Sequence, residues 1–150
     1  MDKLKIYLDN CCYSRPFDDL SQVKIKNESD AKMFIQSLIK FDSVSLYSSF
    51  MLLNEINDNP YTSIKEHVLR FVTEYSSFHV SKAKENEVIP LSNEIMKTGI
   101  KKKDATHLAC SLIAKCDYFI TTDGCVTKYK TDKIKILNPI DFVKEWGESI

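Results

Sequence analysis

Four carboxylates stand out by where they fall in this 150-residue chain. Asp9 stops the apolar run Ile6-Tyr7-Leu8, and Asp123 stops the run Tyr118-Phe119-Ile120-Thr121-Thr122. Asp104 opens an amphipathic stretch directly after Lys101, Lys102 and Lys103, and Glu55 follows the apolar stretch Phe50 to Leu53. Each has an ordinary structural reading taken singly. An aspartate after a strand can form a turn, an acid at the start of a helix can cap it, and a helical glutamate can simply face water. Gathered in one cleft, they call for more. Two carboxylates about 4 Å apart repel by roughly 4 kcal/mol at an effective dielectric near 20. Several together raise each other's pKa and strain the fold unless a cation neutralises them. An oxygen-only set with no nearby His/Cys ligand set suits Mg²⁺ or Mn²⁺ rather than Zn²⁺. Such an ion can lower the pKa of bound water and stabilise charge on a leaving oxygen, which is the chemistry of hydrolysis.

The elements that must position these acids follow from periodicity. Lys3 to Leu8 reads as a first strand, and Ser29-Asp30 as the cap of a helix with Ala31, Phe34, Ile35, Leu38 and Ile39 inward. Ser43 to Ser48 is a short second strand, and Phe50 to Asn57 is a helix broken by Asp58-Asn59-Pro60. Ser63 to Phe78 is the clearest amphipathic helix, with Ile64, Val68, Phe71, Val72 and Tyr75 on one face. Val80 to Gly99 is helical in character but kinked or split by Pro90, with Gly99 as its C-cap. Then come a helix from Asp104 to Cys116, a strand from Asp117 to Asp123 and a short helix around Gly124 to Lys130. A last strand, Lys133 to Leu137, and a helix from Pro139 to Trp146 complete the pattern. Strands and helices alternate, so the expected fold is a single domain over residues 1–150, a three-layer α/β/α sandwich with a mostly parallel central sheet. Sites in such sheets lie outside the carboxyl ends of the strands, which would open Asp9 and Asp123 onto one edge.

Composition narrows the partners. Twenty-one basic and twenty-one acidic side chains cancel, so a polyanion would have to be held by a local patch. Lys101, Lys102 and Lys103 are candidates for phosphate contact, with Lys82 and Lys84 near the same rim, although a lysine triplet is commonly a solvated surface run. Arg15 could hold a phosphate or pair with Asp18 or Asp19. No apolar run approaches the eighteen or so residues of a membrane span. The five cysteines are odd in number and irregularly spaced, and no secretory segment precedes them, so a reduced cytoplasmic protein with buried or semi-buried thiols is expected. Cys11 and Cys12 then read as packing residues, as do Tyr118 and Trp146, and His107 as a packing or hydrogen-bonding residue.

The stretches I-Y-L-D-N, S-S-F-M-L-L-N-E-I and G-I-K-K-K-D-A-T-H-L-A-C-S-L-I-A-K-C-D-Y-F-I-T-T-D carry a family resemblance over nearly the whole chain. The chain resembles the PIN-domain nucleases, the fold of the VapC-type toxins of bacterial toxin–antitoxin pairs. The resemblance implies a metal-dependent endoribonuclease in which Asp9, Asp104 and Asp123 carry Mg²⁺ or Mn²⁺. Glu55 would ligate through water or help activate the attacking one. Asn10, standing where better-known members have Thr or Ser, can donate and accept hydrogen bonds and takes a supporting role. An RNA substrate, an antitoxin protein partner and a homodimer come with the same resemblance.

Other classes fit less well. A haloacid-dehalogenase-type phosphatase needs a second acid two residues after the first, where this chain has Cys11. A receiver domain needs an acidic pair after its first strand, and Asp9-Asn10 supplies half of it. The stronger rival is a non-catalytic PIN-like module that binds RNA or protein without cutting, against which the presence of all four acids weighs.

Overall fold

The computed structural model describes residues 3–14 and 21–148. Its first strand, β1 (Lys5–Leu8), sends Ile6 and Leu8 to one face and Tyr7 to the other, all three fully buried. A strand buried on both faces needs helices on both sides, and the rest of the chain supplies them. After α1 (Asn10–Ser14) come α2 (Val23–Lys40), β2 (Ser45–Ser49), α3 (Phe50–Asn57), α4 (Thr62–Tyr75) and β3 (Ser76–Val80). A 3₁₀ turn (Lys82–Lys84) leads to α5 (Glu85–Met96). The chain closes with α6 (Lys102–Ile113), β4 (Tyr118–Ile120), α7 (Gly124–Thr127), β5 (Lys135–Leu137) and α8 (Pro139–Glu148).

The five strands form one sheet in the order β3-β2-β1-β4-β5, and every pairing is parallel. Ile6 and Leu8 pack with Leu46 and Ile120 against Ile35 and Ile39 of α2, Leu52 and Ile56 of α3, Val68 and Phe71 of α4 and Phe142 of α8. Tyr7 and Phe119 pack on the opposite face with Val88 and Ile95 of α5 and Ala105, Leu108 and Ala109 of α6. This is the expected three-layer α/β/α sandwich. The order also places a switch point between β1 and β4. The chain runs outward from β1 to β3, then returns to add β4 and β5 on the other side. A crevice opens outside the carboxyl ends of the strands at such a point.

Several boundaries depart from the sequence reading. Ser76–Val80 is an edge strand, not the end of one helix and the start of the next. The helical repeat Phe71, Val72, Tyr75 runs on in register to Phe78, which masks the change. Phe78 in fact lies over Tyr47 of β2 with ring centroids 5.3 Å apart. The chain is therefore split before Pro90, which sits inside α5, and Gly99 (φ 102°) turns the backbone from α5 towards α6. Helix α2 starts at Val23 rather than at Ser29, because its first turns lie exposed and carry no apolar repeat. Phe34 is exposed, while Lys32 and Gln36 are buried in its place. Strand β4 stops at Ile120, three residues short of Asp123. All five thiols are free. Cys125 is exposed rather than buried or semi-buried, since it lies in the first turn of the four-residue α7. Among the described residues, no helix is long and apolar enough to cross a membrane.

Lys32 gives the interior a measurable pH dependence. Its ammonium lies 5.4 Å from the centre of the Tyr13 ring and 5.8 Å from that of Phe71. Burial pushes its pKa down from 10.5 to about 8. Above pH 8 the folded chain releases a proton that the unfolded chain keeps until about pH 10.5, so folding becomes more favourable across that window. The buried thiols Cys12, Cys110 and Cys116, held above the usual thiol range by burial, act in the opposite sense. Comparison with Lys32→Met isolates the lysine. Urea denaturation should show the unmodified protein gaining up to about 3 kcal/mol on the variant as this window is crossed. Parallel stability profiles would show that the ammonium carries no such burden.

Candidate metal centre at the carboxyl edge of the sheet

Asp9 is the first residue past β1, and its side chain is nearly as buried as the strand, with 4% of the residue exposed. Its backbone N–H donates to the Ile120 carbonyl at 2.9 Å, extending the β1–β4 ladder by one bond. Its carboxylate is met on both oxygens. The Asn10 backbone N–H donates to Oδ1 at 2.7 Å, and the Thr121 hydroxyl donates to Oδ2 at 2.9 Å. Charge-assisted bonds of this kind offset part of the cost of burying the carboxylate. Thr121 is itself held by its backbone N–H donating to the Leu137 carbonyl of β5 at 3.0 Å, so the first acid is fixed by three neighbouring strands.

Glu55 reaches the same edge from α3, which begins immediately after β2. The Ser49 hydroxyl caps this helix by accepting from the Leu52 N–H at 3.2 Å. The Glu55 Oε1 meets His107 Nε2, and Oε2 accepts from the Asn10 amide at 3.3 Å. Asn10 thus bonds to both Asp9 and Glu55. Burial would push the Glu55 carboxyl up, but the hydrogen bond and charge of His107, with Lys103 and Asn10, outweigh it and lower the pKa. Glu55 therefore stays ionised near neutral pH.

His107 is fully buried on α6 and joins the acids to the core. Its Nε2 lies 3.8 Å from Asp9 Oδ1 as well as against Glu55. Burial alone would lower its pKa. The Glu55 hydrogen bond and the charges of Asp9, Glu55 and Asp104 reverse that, and the imidazole is raised above its ordinary value. The other ring nitrogen, Nδ1, is 2.7 Å from the Tyr7 hydroxyl, which lies 2.5 Å from Ser49 Oγ. Burial holds Tyr7 well above the usual phenol range, so its hydroxyl keeps its proton. The expected hydrogen-bonding role for His107 therefore holds, and its partner is one of the four acids.

Asp104 is the third residue of α6, in the turn where the helix dipole favours negative charge. Its pKa is nonetheless raised to about 6, by burial first and then by the charges of Asp9 and Asp123. The dipole does not cancel the crowding of like charge. Asp123 and Asp104 stand within hydrogen-bonding reach of one another. Asp123 caps α7 with Oδ1 accepting from the Cys125 N–H at 2.8 Å, and its own N–H donates to Thr121 Oγ1 at 3.1 Å. Its place at the edge is set by this turn and not by a strand end.

The four acids predicted from sequence are thus brought to one edge of the sheet, joined by Asn10, Thr121 and His107. Among the described residues, however, no three His, Cys, Asp or Glu side chains stand so that they could hold a metal ion together. The direct bond between Glu55 and His107 gives one acid an internal partner. Lys101, Lys102 and Lys103 are exposed at the start of α6, and Lys103 acts on Glu55 through its charge. Lys84 is engaged with Glu87 at 3.3 Å. Arg15 lies outside the described residues. Sequence reasoning missed Thr121, whose buried hydroxyl serves both Asp9 and Asp123, and missed the Tyr7–Ser49 link behind His107. Nothing in a tyrosine within an apolar strand signals a polar partner across the sheet. The Tyr7 link can be tested through stability. Tyr7→Phe leaves a buried imidazole nitrogen and the Ser49 hydroxyl short of a partner, and should cost about 1–3 kcal/mol in urea denaturation. An unchanged midpoint would show that the link contributes nothing.

No family model matches the chain, and no curated protein matches it. Among solved structures, it is similar to a chain in the crystal structure of VapBC2 from Rickettsia felis bound to a DNA fragment from their promoter. The TM-score is 0.55 at 12% sequence identity, and the match covers 90% of this chain and 98% of that one. Likeness at this level of identity is a likeness of fold, and it agrees with the parallel α/β/α architecture.

Proposed function

We propose that this protein is a divalent-metal-dependent ribonuclease that hydrolyses RNA phosphodiester bonds, of the kind used as the toxin of a toxin–antitoxin pair. The observation that carries the reading is the gathering of Asp9, Asp104 and Asp123 at one edge of the sheet, where burial and the charges of the other two raise the Asp104 pKa to about 6. Carboxylates crowded so that one of them, Asp104, gains proton affinity at the switch point of a parallel sheet form a place where added positive charge is stabilising. With the His107 nitrogen taken up by Glu55, the donors left to an ion are the oxygen atoms of the three aspartates, which fit Mg²⁺ or Mn²⁺. Asp9, Asp104 and Asp123 would hold the ion. When bound, it would supply a water of lowered pKa and charge stabilisation on the leaving oxygen.

The chain's own residues have distinct tasks in this reading. Asn10 and Thr121 hold the Asp9 carboxylate by its two oxygens, which fixes its plane. His107 and Asn10 keep Glu55 ionised and aimed at the edge, where it can accept a proton from an attacking water. Lys101, Lys102 and Lys103 give local attraction for a phosphate backbone in a chain with no net charge. An antitoxin partner and a homodimer are part of the same proposal, and the likeness of fold to a chain of the VapBC2 assembly is in keeping with a partner protein.

The test is digestion of a defined RNA mixture with Mg²⁺, with Mn²⁺ and with chelator, followed by sequencing of the cut ends. Cleavage should need the ion. Asp9→Asn and Asp104→Asn should each abolish it while leaving the circular dichroism spectrum unchanged. Undiminished cleavage by both variants would remove the proposal. Calorimetric metal binding without cleavage of any RNA would favour the non-catalytic module instead.

A further inference from the structure

A cavity of about 310 Å³ lies beside the acids and belongs to none of the roles above. Thr98 and Ile100, in the connection from α5 to α6, form one wall, and Cys125, Lys128, Tyr129 and Lys130, from α7 and the turn after it, form the other. One wall touches the candidate metal centre, and the other leads to it along the chain. Ile100 is followed directly by Lys101 to Lys103 and then Asp104. The Cys125 backbone N–H is the group that bonds to Asp123 Oδ1. Among the described residues, the lining carries two exposed ammonium groups and no carboxylate. Tyr129 is half-buried and packs against the core beneath α5 and α6, so it offers an anchored aromatic surface in a basic setting.

We propose that this cavity receives a nucleotide of single-stranded RNA next to the phosphodiester bond that is cut, with its base against Tyr129 and its flanking phosphates at Lys128 and Lys130. The inference rests on the ribonuclease reading and adds to it a subsite that the acids do not provide. A polyanion crossing a cluster of carboxylates is repelled from it, and an exposed charge acts over only about 8 Å at physiological salt. Cations are therefore needed within reach of the cutting point. Lys101 to Lys103 supply them at the start of α6, and Lys128 and Lys130 at the cavity. A base laid on an aromatic ring is the sequence-tolerant way in which proteins hold unpaired strands. A duplex keeps its bases stacked on one another and would not fill such a cavity. Single-stranded RNA is therefore preferred to double-stranded RNA.

Two arms test this, one with chemistry and one without. In the first, Lys128→Ala/Lys130→Ala and Tyr129→Leu are compared with the unmodified protein on the same RNA pool. Each should raise KM, by about 5- to 150-fold for the tyrosine if one base is stacked, with the effect falling on KM rather than kcat and with the distribution of cut sites altered. In the second, a fluorescein-labelled single-stranded RNA is titrated into Asp9→Asn, with and without the pocket substitutions, across a range of salt concentrations. The double lysine replacement should flatten the slope of log K against log salt by roughly 1.4, two contacts at about 0.7 each. Equal KM, equal cut sites and an equal salt slope would overturn the subsite while leaving the ribonuclease intact. Conversely, absence of any RNA cleavage would remove the ribonuclease reading. The binding arm would then still decide whether the cavity holds RNA. The lysines are exposed and support no core packing, so a folding defect in Tyr129→Leu would leave the double variant decisive.

Discussion

Negative charge held at the mouth of a hydrophobic strand is the constraint around which this molecule is arranged. Asp9 follows three fully buried residues and is itself almost closed to water, so its carboxylate needs donors built into the fold. One comes from the turn after β1, one from the end of β4, and that second donor is held in turn by β5. The same edge must also accommodate Asp104 and Asp123, and burial, followed by the charges of Asp9 and Asp123, raises the proton affinity of Asp104. Packing on the two faces of the sheet provides the stability that such crowding consumes.

His107 links these two aspects of the structure. It sits among apolar residues of α6, yet one ring nitrogen meets Glu55 and the other reaches through Tyr7 to Ser49, the cap of the helix that carries Glu55. The position of Glu55 is therefore set twice, by the start of α3 and by a side chain from a different layer. A glutamate tethered in this way has little conformational freedom left to lose.

Much of this was legible in the sequence because the signals were local and repeated. Short apolar strands alternating with amphipathic helices define a parallel three-layer fold, and the four acids fall where such a fold opens. The failures share a cause. β3 was hidden because Phe78 continues the helical spacing of Phe71 and Tyr75, so only pairing with β2 reveals a strand. Phe34 and Lys32 exchanged their expected places on α2, where the rings of Tyr13 and Phe71 make a lysine acceptable inside. Thr121 could not be singled out because its importance lies in what stands opposite it, 112 residues earlier. Contacts between distant segments are what periodicity cannot carry.

The strand order bears on how the protein comes into being. β1 lies at the centre of the sheet but is made first, and its neighbour β4 appears only after Tyr118. Until then Asp9 has no Thr121 hydroxyl, α6 has no Phe119 to close over, and two of the five strands are missing. A growing chain on the ribosome thus carries three of the acids without the partner that sets the first in place. A chain cut short before Thr121 would lack that partner for the same reason, and the edge takes its final form only once β4 and β5 are added.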